Sequence, residues 1–283
     1  MTINKIPWWG KIAAKVILSR VPFGYRFWKA LRLFQHGAME RPAYAYEIFM
    51  RHFKRFGRPE FVGLELGPGD SLFSALIASA TGSTSYYLVD MAYYAQQQPR
   101  AYLRMAQYLK EKGMKTPDLQ NTSGLEEILD SCGATYKTAG LESLREIPTN
   151  SVDFIWSQAV LEHVKRADFS GLMKELRRII RQDGLCSHRI DLRDHLGGGI
   201  NHLRFSEKIW ESDFISCSGF YTNRMPYSEM LSCFKTAGFG VEIVSLDRRD
   251  ALPISKKKLD QKFRNLTEEE LCVQGFDVLL RPA

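Results

Sequence analysis

Residues 61–80 constrain the chain more than any other stretch. Phe61 to Leu66 is a short apolar run closed by Gly67-Pro68-Gly69, and Ser71 to Ala80 is apolar and rich in helix formers. That order predicts a buried strand, a glycine turn and a helix. Gly67 and Gly69 permit backbone conformations and close approaches denied to residues with a Cβ. The helix that follows turns its free N–H groups toward a ligand. A dinucleotide site wants a third glycine for helix–strand packing, and here that place holds Leu72. Glu65, two positions before the turn, suits a ligand carrying an ammonium group, whereas a pyrophosphate has no use for it. Asp90 closes the next strand about twenty residues later, where a carboxylate accepts ribose hydroxyl protons. Nucleoside binding is the expectation.

The alternation continues beyond this unit. Strands are predicted at 85–90, 134–139, 152–157, 185–192, 241–246 and 275–281, with a helix over 169–181 broken by Gly184. Strands alternating with helices predict an α/β sheet covered on both faces. A further helix is predicted over 43–56, ending at Gly57 with Pro59 beyond. Residues 1–60 read as an N-terminal helical arm or lid and 61–283 as the main domain. Two connections, about 91–133 and 196–240, are longer than such a sheet needs. Both are expected to build a substrate chamber, because ligands bind outside the carboxyl ends of the strands. Residues 247–274 show no strong helix pattern.

Charge is placed unevenly. The formal net charge of +7 comes from Lys5, Lys11, Lys15, Arg20, Arg26, Lys29 and Arg32, with no acid before Glu40. A nucleic-acid binder spreads basic residues around its cleft, so no nucleic-acid partner is expected. The basic segment bears tryptophans and is too short and too charged to span a bilayer. It has no cleavage site after a proper apolar core, so it does not read as a signal peptide. Peripheral contact of residues 1–39 with an anionic inner membrane surface is one expectation, and a covering arm or homodimer contact is the other. Five scattered cysteines without a C-x-x-C pair argue for a reducing, cytoplasmic compartment and for small buried residues.

Glu65-Leu-Gly-Pro-Gly-Asp70, Asp90 and the run Asn150 to Val164 together resemble the class I S-adenosylmethionine-dependent methyltransferases over roughly residues 60–282. The last run, with Leu161-Glu-His-Val164, is similar to the ubiquinone-biosynthesis-like branch. The resemblance implies a seven-stranded, mostly parallel Rossmann-like sheet in the order 3-2-1-4-5-7-6. It implies S-adenosyl-L-methionine as cofactor and S-adenosyl-L-homocysteine as product. Glu65 would hold the methionine amine, and Gly67, Pro68, Gly69, Asp70 and Ser71 would wrap the amino-acid portion. Asp90 would hold the ribose and Met91 lie against the adenine, while Ser157, Gln158 and Ala159 line the floor. Ser71 replaces the family's third glycine. The acid usual near the adenine amine falls at Leu141, with Glu142 beside it.

Methyl transfer to an alcohol needs a base to take the proton as the oxygen attacks. Three of the six histidines fall between 188 and 202. Asp191, Asp194 and His195, at the end of the fifth strand and in the loop beyond, are the catalytic candidates. An Asp/Asp/His cluster is also a ligand set for Mg²⁺, but spacing alone assigns no metal. His163 reads as an anchor for its loop. The second half is also similar to methyltransferases of bacterial polysaccharide and secondary-metabolite assembly, through Ile190 to His195, Leu203 to Glu207 with Trp210, and Tyr221 to Arg224. That resemblance implies O-methylation of a sugar, glycolipid or other hydroxylated small molecule. His202, Tyr221, Asn223 and Arg224 are the candidates to bind it. A quinone-like acceptor is the rival within enzymes. A non-catalytic cofactor-binding subunit is the rival of another class, and a nicotinamide dehydrogenase is a further enzymatic alternative.

Overall fold

A computed structural model describes Gly10 and residues 38–283, apart from Leu196 and Gly219. Its centre is a seven-stranded sheet in the order β3-β2-β1-β4-β5-β7-β6, as expected. The strands are β1 (Phe61–Leu66), β2 (Ser83–Val89), β3 (Ala134–Lys137), β4 (Val152–Gln158), β5 (Ile180–Asp191), β6 (Phe239–Arg248) and β7 (Val273–Pro282). β1 to β5 pair in parallel, and β7 enters antiparallel between β5 and β6.

Period-two alternation along the central strands feeds two apolar cores, one on each face. Tyr86, Leu88, Phe154 and Trp156 face α1 (Pro42–Phe56), α2 (Phe73–Ala80), α3 (Pro99–Glu111) and α4 (Leu125–Ser131). Leu64, Leu66, Val89 and Ile155 face α5 (Leu141–Arg145), α6 (Arg166–Ile179) and α7 (Tyr227–Thr236). α1 opens with Pro42 in its first turn and stops at Gly57, whose φ of 66° no β-carbon favours. Its Phe49 ring meets Trp156 edge-on at 5.7 Å. The described end of the N-terminal segment is therefore part of the first core. Of the basic segment over residues 1–39, expected to touch a membrane or cover the domain, only Gly10, Ala38 and Met39 lie among the described residues. No helix among the described residues is long and apolar enough to cross a membrane.

Three expectations need correction. Gly184 does not separate α6 from the next strand. The chain turns directly from Ile179 into β5, and the pairing with β4 jumps from Val152–Ile180 to Phe154–Leu185. Gly184 sits in that irregularity, where a β-carbon would lie 2.8 Å from Ile180 Cδ1. The connection 91–133 is not mainly a chamber wall. It carries α3, whose Ala101, Tyr102, Met105 and Leu109 are core residues, because a parallel crossover needs a helix to cover the sheet. The five cysteines are all free but not all buried, since Cys217 is exposed in the second long connection.

Candidate active site

The glycine turn lies at the carboxyl end of β1, in the crevice between β1 and its neighbours. Gly67 and Gly69 adopt φ of 64° and 66°, the left-handed region. Gly67 N–H donates to Val89 O at 2.8 Å, and Gly69 N–H to Asp90 Oδ2 at 2.9 Å. Asp90 Oδ1 accepts from Met91 N–H at 2.8 Å. α2 starts without a side-chain cap, and the nearby Ser71 hydroxyl is buried with no partner.

Glu65 is the penultimate residue of β1, is buried and accepts the Ser74 hydroxyl. Burial pushes its carboxyl up to about 8; Ser74 opposes the shift and Asp90 adds to it. A carboxylate so placed lacks a counter-charge, and a ligand ammonium would supply one. The orphaned Ser71 hydroxyl, the uncapped helix and the two carboxylates beside the turn fit an amino acid joined to a nucleoside.

Met91 presents an apolar side chain 68% exposed, the largest such exposure among the described residues. A β-carbon on Gly140, at φ 56°, would sit 3.6 Å from Met91 Cγ, an ordinary van der Waals contact. Leu141 packs against the second core, and exposed Glu142 pairs with Arg145. Ser157 is tied to His188 Nδ1 at 2.8 Å, and Gln158 to Arg51 and His52 of α1. Ala159 takes φ 54° and donates its N–H to Arg189 O at 2.9 Å. Pro68 and Asp70 are buried in the turn, with Asp70 O accepting Gln96 N–H at 3.0 Å.

The carboxyl ends of β4 and β5 carry the second group of candidates. Burial raises the Asp191 carboxyl, but the Arg193 side chain and N–H outweigh it and hold the group below its ordinary value. Arg193 Nη2 lies 2.7 Å from Asp191 Oδ2. Asp194 is buried and organises its loop: it accepts Gly199 N–H at 2.9 Å, Asn201 N–H at 2.7 Å and Asn201 Nδ2 at 3.1 Å. The His195 ring stacks on His163, centroids 4.9 Å apart. His163 Nδ1 in turn meets Tyr221 O at 2.7 Å, in keeping with an anchoring role.

Two of the acceptor candidates spend their polar groups within the protein. Asn223 Nδ2 donates to Leu161 O and Val164 O at 2.9 and 3.0 Å, clamping the loop after β4. Tyr221 O–H donates to Glu211 at 2.8 Å. His202 and Arg224 are different. Both line a cavity of about 40 Å³ together with Glu162, Asp191 and Thr222. His202 Nδ1, Arg224 Nε, Glu162 Oε2 and Thr222 Oγ1 are all buried there without a partner. Sequence reasoning quoted Glu162 within Leu-Glu-His-Val and gave it no role, and it missed Thr222 and Phe263. A charged residue inside an apolar run was the available signal for Glu162. No cluster of three or more His, Cys, Asp or Glu placed to hold a metal occurs among the described residues.

Residues 64–187 match a protein family described as a methyltransferase domain. No curated protein matches the chain by sequence. Among solved structures, the YcgJ protein of Bacillus subtilis is 16% identical, covering 82% of this chain and 100% of its own, with a TM-score of 0.44. A Methanosarcina mazei S-adenosylmethionine-dependent methyltransferase is 17% identical over 81% and 96%, with a TM-score of 0.47. One from Mesorhizobium loti is 16% identical over 87% and 98%, with a TM-score of 0.45. The matched segment begins on β1, takes in the glycine turn and Asp90, and ends within β5. That segment, laid over a sheet in this strand order, is similar to a methyltransferase domain and marks the protein as an enzyme.

Proposed function

We propose that the enzyme methylates a hydroxyl oxygen of a small, polar acceptor such as a sugar, with His195 as the general base. The observation that carries this reading is the cavity at the ends of β4 and β5, where polar atoms of Glu162, His202, Thr222 and Arg224 converge within an apolar wall. Few, placed polar groups in an apolar surround are how small-molecule sites fix orientation.

When bound, S-adenosylmethionine supplies a methyl group on a sulfonium and departs as the neutral thioether S-adenosylhomocysteine. Glu65 holds the amine, Ser71 and the start of α2 the carboxylate, and Asp90 the ribose. His195 takes the hydroxyl proton as the acceptor oxygen forms its new bond to carbon. An imidazole serves here because its ordinary pKa lies near neutral pH. Asp191 lies close enough to act on the His195 ring through charge. Asp194 shapes the loop that carries His195.

A second reading has one observation in its favour. Ile209 and Phe214, in the second long connection, are 52% and 55% exposed. An apolar surface near the acceptor side suits a glycolipid or a quinone-like molecule.

The test is product formation. Purified enzyme is incubated with S-adenosylmethionine and a panel of free sugars, glycolipids, quinols and amines, and S-adenosylhomocysteine is quantified. Release that depends on a hydroxylated acceptor, with the new methyl on oxygen by mass spectrometry, supports the reading. Methylation confined to nitrogen or carbon overturns it.

A further inference from the structure

Arg224 is buried and held by two rings and two carbonyls. Its guanidinium lies between the Trp210 and Phe263 rings, at 5.1 and 5.2 Å from their centroids. Nη1 donates to Phe205 O at 2.6 Å and reaches His202 O at 3.3 Å. The residue is 6% exposed, and its Nε is buried with no partner. No carboxylate among the described residues pairs with it. Its backbone stands at φ 54°, a conformation costly for a side chain of this size and kept only where the surroundings enforce it. Glu211, Glu207 and Asp260 act on the guanidinium through charge without pairing with it, and burial still lowers its pKa to about 10, so the buried cation is incompletely compensated.

We propose that this cavity is an anion pocket that receives a carboxylate group of the acceptor, with Arg224 Nε as its charged donor and Glu162 as a second, neutral donor. The proposal rests on the acceptor entering at the ends of β4 and β5. Glu162 is 1% exposed; its Oε1 accepts Asp191 N–H at 3.2 Å, and Oε2 is left unpartnered at the cavity. Burial raises its carboxyl to about 8, so near neutral pH it carries a proton and can donate. The groups around it are Asp191 and Arg189 from β5, His202 and Arg224 from the second connection, and Tyr227 and Glu270 at the far wall. His202 is kept neutral by burial, its pKa lowered to about 3. Asp191 spends its charge on Arg193, and Glu270 accepts Ser228 N–H at 2.7 Å, which leaves Arg224 as the cation on the wall without an ion pair, a match for a monoanion. The volume of about 40 Å³ is room for roughly three water molecules, the size of a carboxylate. A phosphate brings more charge and more bulk than the pocket balances.

The experiment uses the full chain saturated with S-adenosylhomocysteine. Glycolate, glycolamide and inorganic phosphate are titrated in turn, read by arginine Nε–H resonances and by thermal melting. The Arg224 signal is assigned by its loss in Arg224→Lys. Glycolate should shift that signal and raise the melting temperature, while glycolamide and phosphate do so at least about tenfold more weakly. Glycolate affinity should fall about tenfold per pH unit above 8 in the wild type and stay level in Glu162→Gln, which keeps a donor at all pH. Should Arg224→Lys fail to fold, Glu162→Gln and Thr222→Val carry the test. An unmoved Arg224 signal with water cross-peaks alone, an equal response to glycolamide, a preference for phosphate, or a parallel pH profile in Glu162→Gln would each overturn the proposal. Methylation of neutral sugars with no carboxylate preference would overturn the pocket and leave the O-methyltransferase reading intact. Glycolate binding with transfer confined to nitrogen would do the reverse.

Discussion

Gly69 donates its backbone N–H to Asp90 Oδ2 at 2.9 Å, latching the turn after β1 to the end of β2. With Met91 N–H on Oδ1 at 2.8 Å, both oxygens of Asp90 are fixed by main-chain donors. The carboxylate is therefore oriented before any ligand arrives. Asp90→Asn keeps the shape but has one acceptor oxygen where two are needed. It should weaken S-adenosylhomocysteine binding by about 10- to 100-fold, the worth of a hydrogen bond to a charged group. Isothermal calorimetry reads this directly, and unchanged affinity would remove Asp90 from the site.

Glu65 makes cofactor binding proton-linked. Its carboxyl, raised by burial to about 8, is largely protonated near neutral pH in the free enzyme. An arriving ammonium favours the ionised form, so binding at pH 7 should release a proton. Calorimetry in buffers of different ionisation enthalpy should show that release in the wild type. Glu65→Gln should show none and bind more weakly.

Asp194 and His195 are neighbours with separable roles. Asp194→Ala removes the acceptor of three N–H groups from a buried loop, which should cost about 1–3 kcal/mol in stability and loosen residues 194–201 in hydrogen exchange. His195→Gln should leave the melting temperature and cofactor affinity near wild type while lowering kcat by about 10²- to 10⁴-fold. Retained turnover in His195→Gln would move the base elsewhere.

The cofactor-free enzyme should be most stable near pH 6.5. As pH falls from 8 toward that point, the folded chain binds protons at Glu65 and Glu162, both raised by burial to about 8, which the unfolded chain leaves ionised; stability rises. Below 6.5 the unfolded chain protonates His52, His188 and His202, which burial keeps neutral in the fold down to about 4, 3 and 3. Three histidines outweigh two glutamates, and stability falls. Below about 4.5 the unfolded glutamates take up protons as well, and the loss steepens. Melting temperatures across pH 4 to 9 check the shape, and His52→Gln should soften the acid limb.

The turn that carries the cofactor candidates was legible in the sequence because its elements are consecutive. Glu65, the glycines and Asp90 sit on consecutive elements, so strand, turn and strand place them together without knowledge of the rest. The strand order followed from the resemblance and agrees with the sheet. The cavity proposed for the acceptor is assembled from four separate stretches: Glu162 after β4, Asp191 ending β5, residues 200–227, and the one-turn helices near Phe263 and Leu271. No periodicity announces such a meeting. Asn223 and Tyr221 looked like free donors because a sequence does not reveal that nearby backbone carbonyls and Glu211 consume them. Gly184 looked like a helix breaker, although only the pairing of β4 with β5 explains it.

Gly67 has a second reason to lack a side chain besides its φ: a β-carbon there would lie 2.7 Å from a methyl of Val160. Val160 stands two residues before Glu162, at the head of the loop that walls the acceptor cavity. Val160 thus touches the turn after β1 while Glu162, two residues on, lines the cavity. On the proposed assignment of the two sites, a larger side chain at 160 would push on the turn after β1, so a change made for the acceptor would be felt where the cofactor is held.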